Sequence, residues 1–111
     1  MEIVLFKIRT RPDLDAEEYQ RTFERMLELV SAIPGFAGIE GYAGEDGSEL
    51  AVARFTSPEA IAQWRDQPDH QLTQERGRDE FFAAYDITIA TVWREFGWPT
   101  GDGDGTANVT P

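Results

Sequence analysis

The chain has 111 residues, 41% of them hydrophobic and 28% charged, enough for one domain around an apolar core and too few for two. Its 21 acidic and 10 basic residues leave a formal charge of −11; that field repels phosphate backbones and anionic membrane surfaces, so neither nucleic acid nor membrane is an expected partner. The absence of cysteine excludes disulfides, thiol nucleophiles and cysteine-ligated zinc, and fits a cytoplasmic protein.

The N-terminal stretch MEIVLFKIR has no basic region ahead of its apolar run and reaches Lys7 too soon for a signal peptide or a membrane span. A cytoplasmic location is therefore expected. Within it, Val4, Phe6 and Ile8 alternate with Ile3, Leu5 and Lys7, which predicts a first strand over Glu2 to Arg9. Asp15 then stands as an N-cap, with Glu18 three residues on as in a capping box. Tyr19, Phe23, Met26, Val30 and Ile33 recur at helical spacing, opposite a face carrying Glu17, Arg21, Glu24, Arg25 and Glu28. Pro34 ends this helix near Ile33.

Gly35 to Gly44 and Glu49 to Thr56 read as two hairpin strands around GEDGS, where Asp46-Gly47 supplies the turn. Ser57-Pro58-Glu59 predicts an N-cap, a first-turn proline and an early acid, opening a short helix that buries Ile61 and Trp64. Pro68 is expected to break it. A second helical piece from about Asp69 loosens at Gly77, ahead of an aromatic cluster of Phe81, Phe82 and Tyr85. Tyr85 to Phe96 is β-branched and aromatic enough for a fourth strand. Residues 98–111 form an acidic Gly/Pro-rich tail outside a domain of residues 1–97. Its DGDG begins like a calcium loop but lacks the later ligands, so no metal is expected.

The order β-α-β-β-α-β is the α+β, ferredoxin-like arrangement with a four-stranded antiparallel sheet. Two helices cover one face of such a sheet, yet the strands carry apolar residues on both: Leu50 and Val52 against Ala51, Ala53 and Phe55, Ile87 and Ile89 against Ala90 and Val92. A second copy of the chain is expected to cover the other face, giving a homodimer.

The succession IPGFAGIEGY, DG and ELAVARFTSPEAIAQWRDQPDHQLTQERGRDEFFAAYDITIATVWREF resembles the antibiotic biosynthesis monooxygenase domain family over about Met1 to Phe96. The resemblance implies a dimeric α+β barrel. The family holds cofactor-independent monooxygenases of aromatic polyketides, small quinol monooxygenases, haem-degrading enzymes and members without known activity. In the haem degraders an Asn near the end of the first strand, a Trp on the middle helix and a His about ten residues later make the site. The matching positions here are Lys7, Trp64 and Gln74, and His70 comes four residues too early, so haem degradation ranks last. The polyketide-oxidising branch carries an Asn and a Trp where this chain has Ala51 and Phe55.

Cofactor-free oxygenation needs a base, a dry pocket and donors to hold an oxyanion. His70, the only histidine, is a candidate base, the competing reading being a surface histidine at a helix start; Glu40 is the second candidate. Glu40 and Arg54 fall in neighbouring strands and are expected either to pair across them or to enter a polar cavity. Phe36 and Tyr42 are expected on the face of Glu40 as aromatic walls. Trp64, Phe82 and Tyr85 pack the core first, with edges free to shape a substrate site. The expected function is a cofactor-independent monooxygenase acting on a small aromatic, quinol or polyketide-like molecule, with neither cofactor nor metal. The alternative is a non-catalytic ligand-binding or accessory dimer. A cavity of roughly a few hundred Å³ lined by Trp64 and reached past His70 favours the enzyme; a fully packed interior favours the alternative.

Overall fold

Strand β1 (Glu2–Thr10) is the centre of the computed structural model, which describes residues 1–99. It pairs antiparallel with β3 (Glu49–Phe55) on one side and β4 (Phe82–Thr91) on the other. With β2 (Phe36–Ala43) at the edge, the sheet order is β2-β3-β1-β4. Helix α1 (Ala16–Ser31) follows β1, while α2 (Pro58–Arg65), α3 (Pro68–Arg76) and a π-helical turn (Gly77–Phe81) connect β3 to β4. This is the ferredoxin-like α+β fold expected from the sequence. The expectations for the tail from residue 100 on, DGDG included, lie outside the described residues.

Local chemistry accounts for most boundaries. Asp15 accepts the Glu18 backbone N–H at 3.1 Å and starts α1, and Ser57 Oγ accepts the Ala60 N–H at 3.2 Å and starts α2. In the hairpin, the Asp46 carboxylate accepts both the N–H and the hydroxyl of Ser48, at 3.0 and 2.6 Å. Pro68 starts a helix as well as ending one: it occupies the first turn of α3, whose cap is the Gln67 side chain accepting the His70 N–H at 2.7 Å.

Strand β4 differs from its expected span. It begins at Phe82, where β1 still offers Thr10 as a partner, and ends at Thr91 opposite Glu2. Beyond Thr91 the first strand has run out, and a single bond from Val92 N–H to the Met1 carbonyl closes the pairing. Trp93, assigned to the strand by its β propensity, is 90% exposed.

The register sorts side chains by face. Val4, Phe6 and Ile8 lie opposite Ala53, Ala51 and Glu49, and this set turns towards the helices. Phe36 joins them because a bulge between Phe36 and Gly38 adds one residue and flips the parity, leaving Phe36 opposite Phe55. The expected face shared by Phe36, Glu40 and Tyr42 is thereby corrected: Glu40 and Tyr42 stand on the other side of β2. Val30, Phe55 and Ala60 form the buried centre, with Ile33, Phe36, Ile61 and Trp64 packed around them.

Candidate active site

Small residues on the sheet leave room beneath α1. Ala51 and Ala53 lie under its apolar stripe, and the resulting cavity has a volume of about 160 Å³, lined by Phe6, Tyr19, Phe36, Trp64, His70 and Phe82 among others. It is smaller than anticipated, close to the size that holds a single aromatic ring. It does not close: Phe23 and Leu27 of α1, both lining it, are 42% and 38% exposed.

His70 is held on three sides. Its backbone N–H is capped by Gln67, and its ring stacks on the Trp64 indole with centroids 3.8 Å apart and planes 14° apart. Its Nδ1 lies 2.9 Å from the Trp64 carbonyl oxygen. A carbonyl only accepts, so Nδ1 carries the proton, and in the neutral ring Nε2 keeps the lone pair. Burial pushes the pKa of His70 below its ordinary 6.5, and the bond to the Trp64 carbonyl offsets part of that shift. The imidazole is therefore neutral at pH 7 and has a fixed tautomer. His70 does stand at a helix start, in the first turn of α3, but half-buried against Trp64 rather than free on the surface.

The helix that carries His70 is tied to α1 by Arg76, which pairs with Glu18 at 2.9 Å and also with Glu80. The Arg76 guanidinium lies 5.1 Å from the centre of the Phe81 ring. Three polar residues that the sequence does not single out for a site line the cavity, Tyr19, Thr22 and Thr73, together with Gln74, which stands where the haem degraders carry their histidine. Burial first, and the neighbouring Glu49 second, push the Tyr19 hydroxyl up to about 12. It stays protonated and donates to Glu49 Oε2 at 3.4 Å.

The remaining candidates separate. Phe82 and Tyr85 meet Phe6 edge-on at 5.7 and 5.6 Å; Phe82 lines the cavity, whereas the Tyr85 hydroxyl accepts from Arg78 at 3.3 Å. The expected pairing of Glu40 with Arg54 is absent. Arg54 lies opposite Gly38 and Glu40 opposite Val52, so the two are diagonal neighbours rather than directly opposed. Arg54 instead pairs with Glu95 at 3.0 Å, while Glu40 accepts the hydroxyl of Tyr42. That bond raises the Tyr42 pKa. Among the described residues no group of three or more His, Asp and Glu side chains is placed to hold a metal ion, and no helix is long and apolar enough to cross a membrane.

Comparison with known proteins agrees with this architecture. Residues 1–76 match the profile of the antibiotic biosynthesis monooxygenase family. The chain is 36% identical over 77 residues to the uncharacterized protein YqjZ of Bacillus subtilis strain 168, covering 69% of this chain and 68% of that one. Among solved structures, Rv0793 from Mycobacterium tuberculosis superimposes with a TM-score of 0.74 at 18% identity, covering 86% of this chain and 98% of that one. SnoaB from Streptomyces nogalater, a cofactor-independent oxygenase, gives 0.69 at 16% identity over 85% of this chain and 94% of its own. At such identities the two structures speak for the fold.

Proposed function

The chain belongs to the antibiotic biosynthesis monooxygenase family, and on that premise we propose that it is a cofactor-independent monooxygenase of a small aromatic, quinol or polyketide-like substrate. The observation that carries the reading is His70: a half-buried, neutral imidazole whose Nε2 lone pair is left free by the Trp64 carbonyl, on the wall of an apolar cavity. The likeness to SnoaB supports the same reaction class.

In this reading His70 takes a proton from a phenol or from a carbon activated by one. The substrate carbanion supplies the electrons that reduce dioxygen, and a carbon–oxygen bond forms to give a peroxide. For an activated methylene the sum is one methylene and one dioxygen giving one carbonyl and one water. One oxygen atom stays on carbon and the other leaves as water with both hydrogens. The imidazolium returns its proton to the peroxide. Trp64, Phe36 and Phe82 form the apolar walls, and the Gln74 amide on the same cavity is the donor for the oxyanion. Glu40, bonded to Tyr42 on the other face of β2, is the weaker candidate for the base.

The protein works as a cytoplasmic homodimer in this account. Leu5, Leu50 and Val52 stand on the sheet face away from the helices, and a second copy is the cover that matches that face. Sedimentation should give twice the monomer mass of 12.5 kDa. The reaction is tested by oxygen uptake of chelator-treated protein with quinols and anthrones. Uptake above the spontaneous rate, lost in His70→Ala, is the expected result. Tight binding of these molecules without uptake would overturn the enzyme in favour of a binding dimer.

A further inference from the structure

The His70 cavity has a neighbour. A groove of about 560 Å³ lies between α1 and the β2–β3 edge, and Tyr19, Phe23, Leu27, Ile39 and Ala51 line both hollows. The two are thus adjoining rooms along the underside of α1, which explains why Phe23 and Leu27 stay exposed although they belong to the apolar stripe.

Between the larger strand residues that line the groove, Ile39, Glu40, Tyr42, Glu49 and Leu50, its floor drops to Gly41, Ala43 and Ala51, and Gly41 lies opposite Ala51 on the face of β2 that turns to α1. A glycine inside a strand weakens it through backbone entropy and lost packing. Gly35, Gly38 and Gly47 have positive φ, whereas Gly41 does not, so no backbone conformation requires glycine there. Nor does crowding: a Cβ built on Gly41 meets nothing within 4 Å. What the missing side chain provides is open space, contiguous with the cavity at His70. At the far end Glu49 lies opposite Ala43 and accepts the Tyr19 hydroxyl at 3.4 Å.

We infer that the groove floored by Gly41 and Ala43 is a second subsite, which takes the non-reacting extension of the substrate: an elongated apolar arm ending in a hydrogen-bond donor that Glu49 accepts. The inference rests on the proposed function, since it presumes an aromatic head beside His70. A molecule filling only the 160 Å³ cavity covers Phe23 and Leu27 from that side alone; one that reaches over Gly41 covers them from the groove as well. Gly41 is then a specificity-determining residue that sets the length of ligand accepted.

The test is calorimetric titration with phenol, 4-hydroxybiphenyl and 4,4′-biphenol, which share a head and differ in the arm. The native protein should bind 4-hydroxybiphenyl about tenfold tighter than phenol, the increment expected for burying part of a second ring. In Gly41→Leu that ratio should fall to about one, because a side chain now occupies the floor. Ala43→Leu is the companion variant should Gly41→Leu fail to fold. The preference for 4,4′-biphenol over 4-hydroxybiphenyl should vanish in Glu49→Ala, which removes the acceptor. An undiminished ratio in both floor variants would overturn the inference while leaving the His70 cavity standing. Failure of phenol itself to bind the native protein would overturn the aromatic-head reading and the second subsite together.

Discussion

The two ends of the layer between α1 and the sheet draw on the same apolar stripe and finish in opposite conditions. Where β1 begins, Phe55 is 1% exposed and Val30 5%, because the sheet offers two aromatic rings, Phe36 and Phe55, packed 5.6 Å apart. One to two turns earlier along α1, Phe23 is 42% exposed, because Ala51 and Gly41 are what the sheet offers there. The size of the residue opposite, rather than the hydrophobicity of the helix, decides whether the layer stores stability or keeps a void. Dense packing rewards every filled contact, and a void forfeits them. His70 stands between the two, stacked on Trp64 of the dense end and lining the cavity that leads to the open one.

Substitutions can break this contrast, beginning with the largest effect. Phe55→Ala should cost about 3–5 kcal/mol in a urea titration, whereas Phe23→Ala should cost about 1 kcal/mol or less; equal losses would show that the two ends are packed alike. His70→Ala should lower turnover by about 10²–10⁴-fold while moving the unfolding midpoint far less than Phe55→Ala does. Gly35→Ala probes the dense end from the backbone side. Its φ of +93° resists a side chain, and a Cβ would fall 2.7 Å from Thr56 Oγ1 and 2.9 Å from the Ala60 Cβ, so a loss of about 1–3 kcal/mol is expected. On the face away from the helices, Arg54→Ala removes a partly exposed ion pair with Glu95 and should cost under about 1 kcal/mol.

The cavity wall at His70 also has a pH signature. Burial lowers the folded pKa of His70 below 6.5, so beneath that value the unfolded chain binds more protons than the folded one. The stability that His70 contributes is complete above pH 6.5 and is lost as the pH falls through the folded value. His70→Gln should flatten that part of the profile when urea midpoints are compared from about pH 7 down to about pH 5. A profile unchanged by the substitution would mean that the ring is solvated and that the cavity is open to water at His70.

Much of the fold was legible because it is written in local chemistry. Asp15, Ser57, Asp46-Gly47 and the alternation in β1 each act within a few residues of themselves, and each reading survived. The end of β4 was not legible from its own composition, since a strand ends where its partner ends, and that partner lies some ninety residues earlier at Glu2 and Met1. The face of Phe36 escaped for a related reason: one extra residue at Ala37 reverses the parity on which an alternating pattern depends.

The site divides the same way. Sequence alone determined that Trp64 helps bury one short helix and that His70 stands at the start of the next, that the apolar stripe of α1 faces a sheet, and that the chain is kin to a family of monooxygenases. Only the tertiary structure decided which nitrogen of His70 is free, because the group that orients it is the backbone carbonyl of Trp64, and every residue has one. Likewise it decided that Gly41 opens a space and does not make a turn, because a glycine reads the same in a sequence whether its φ or its missing Cβ matters. Caps, turns and stripes depend on neighbours along the chain, whereas tautomers and voids depend on neighbours across it, which strand register and helix packing alone bring together.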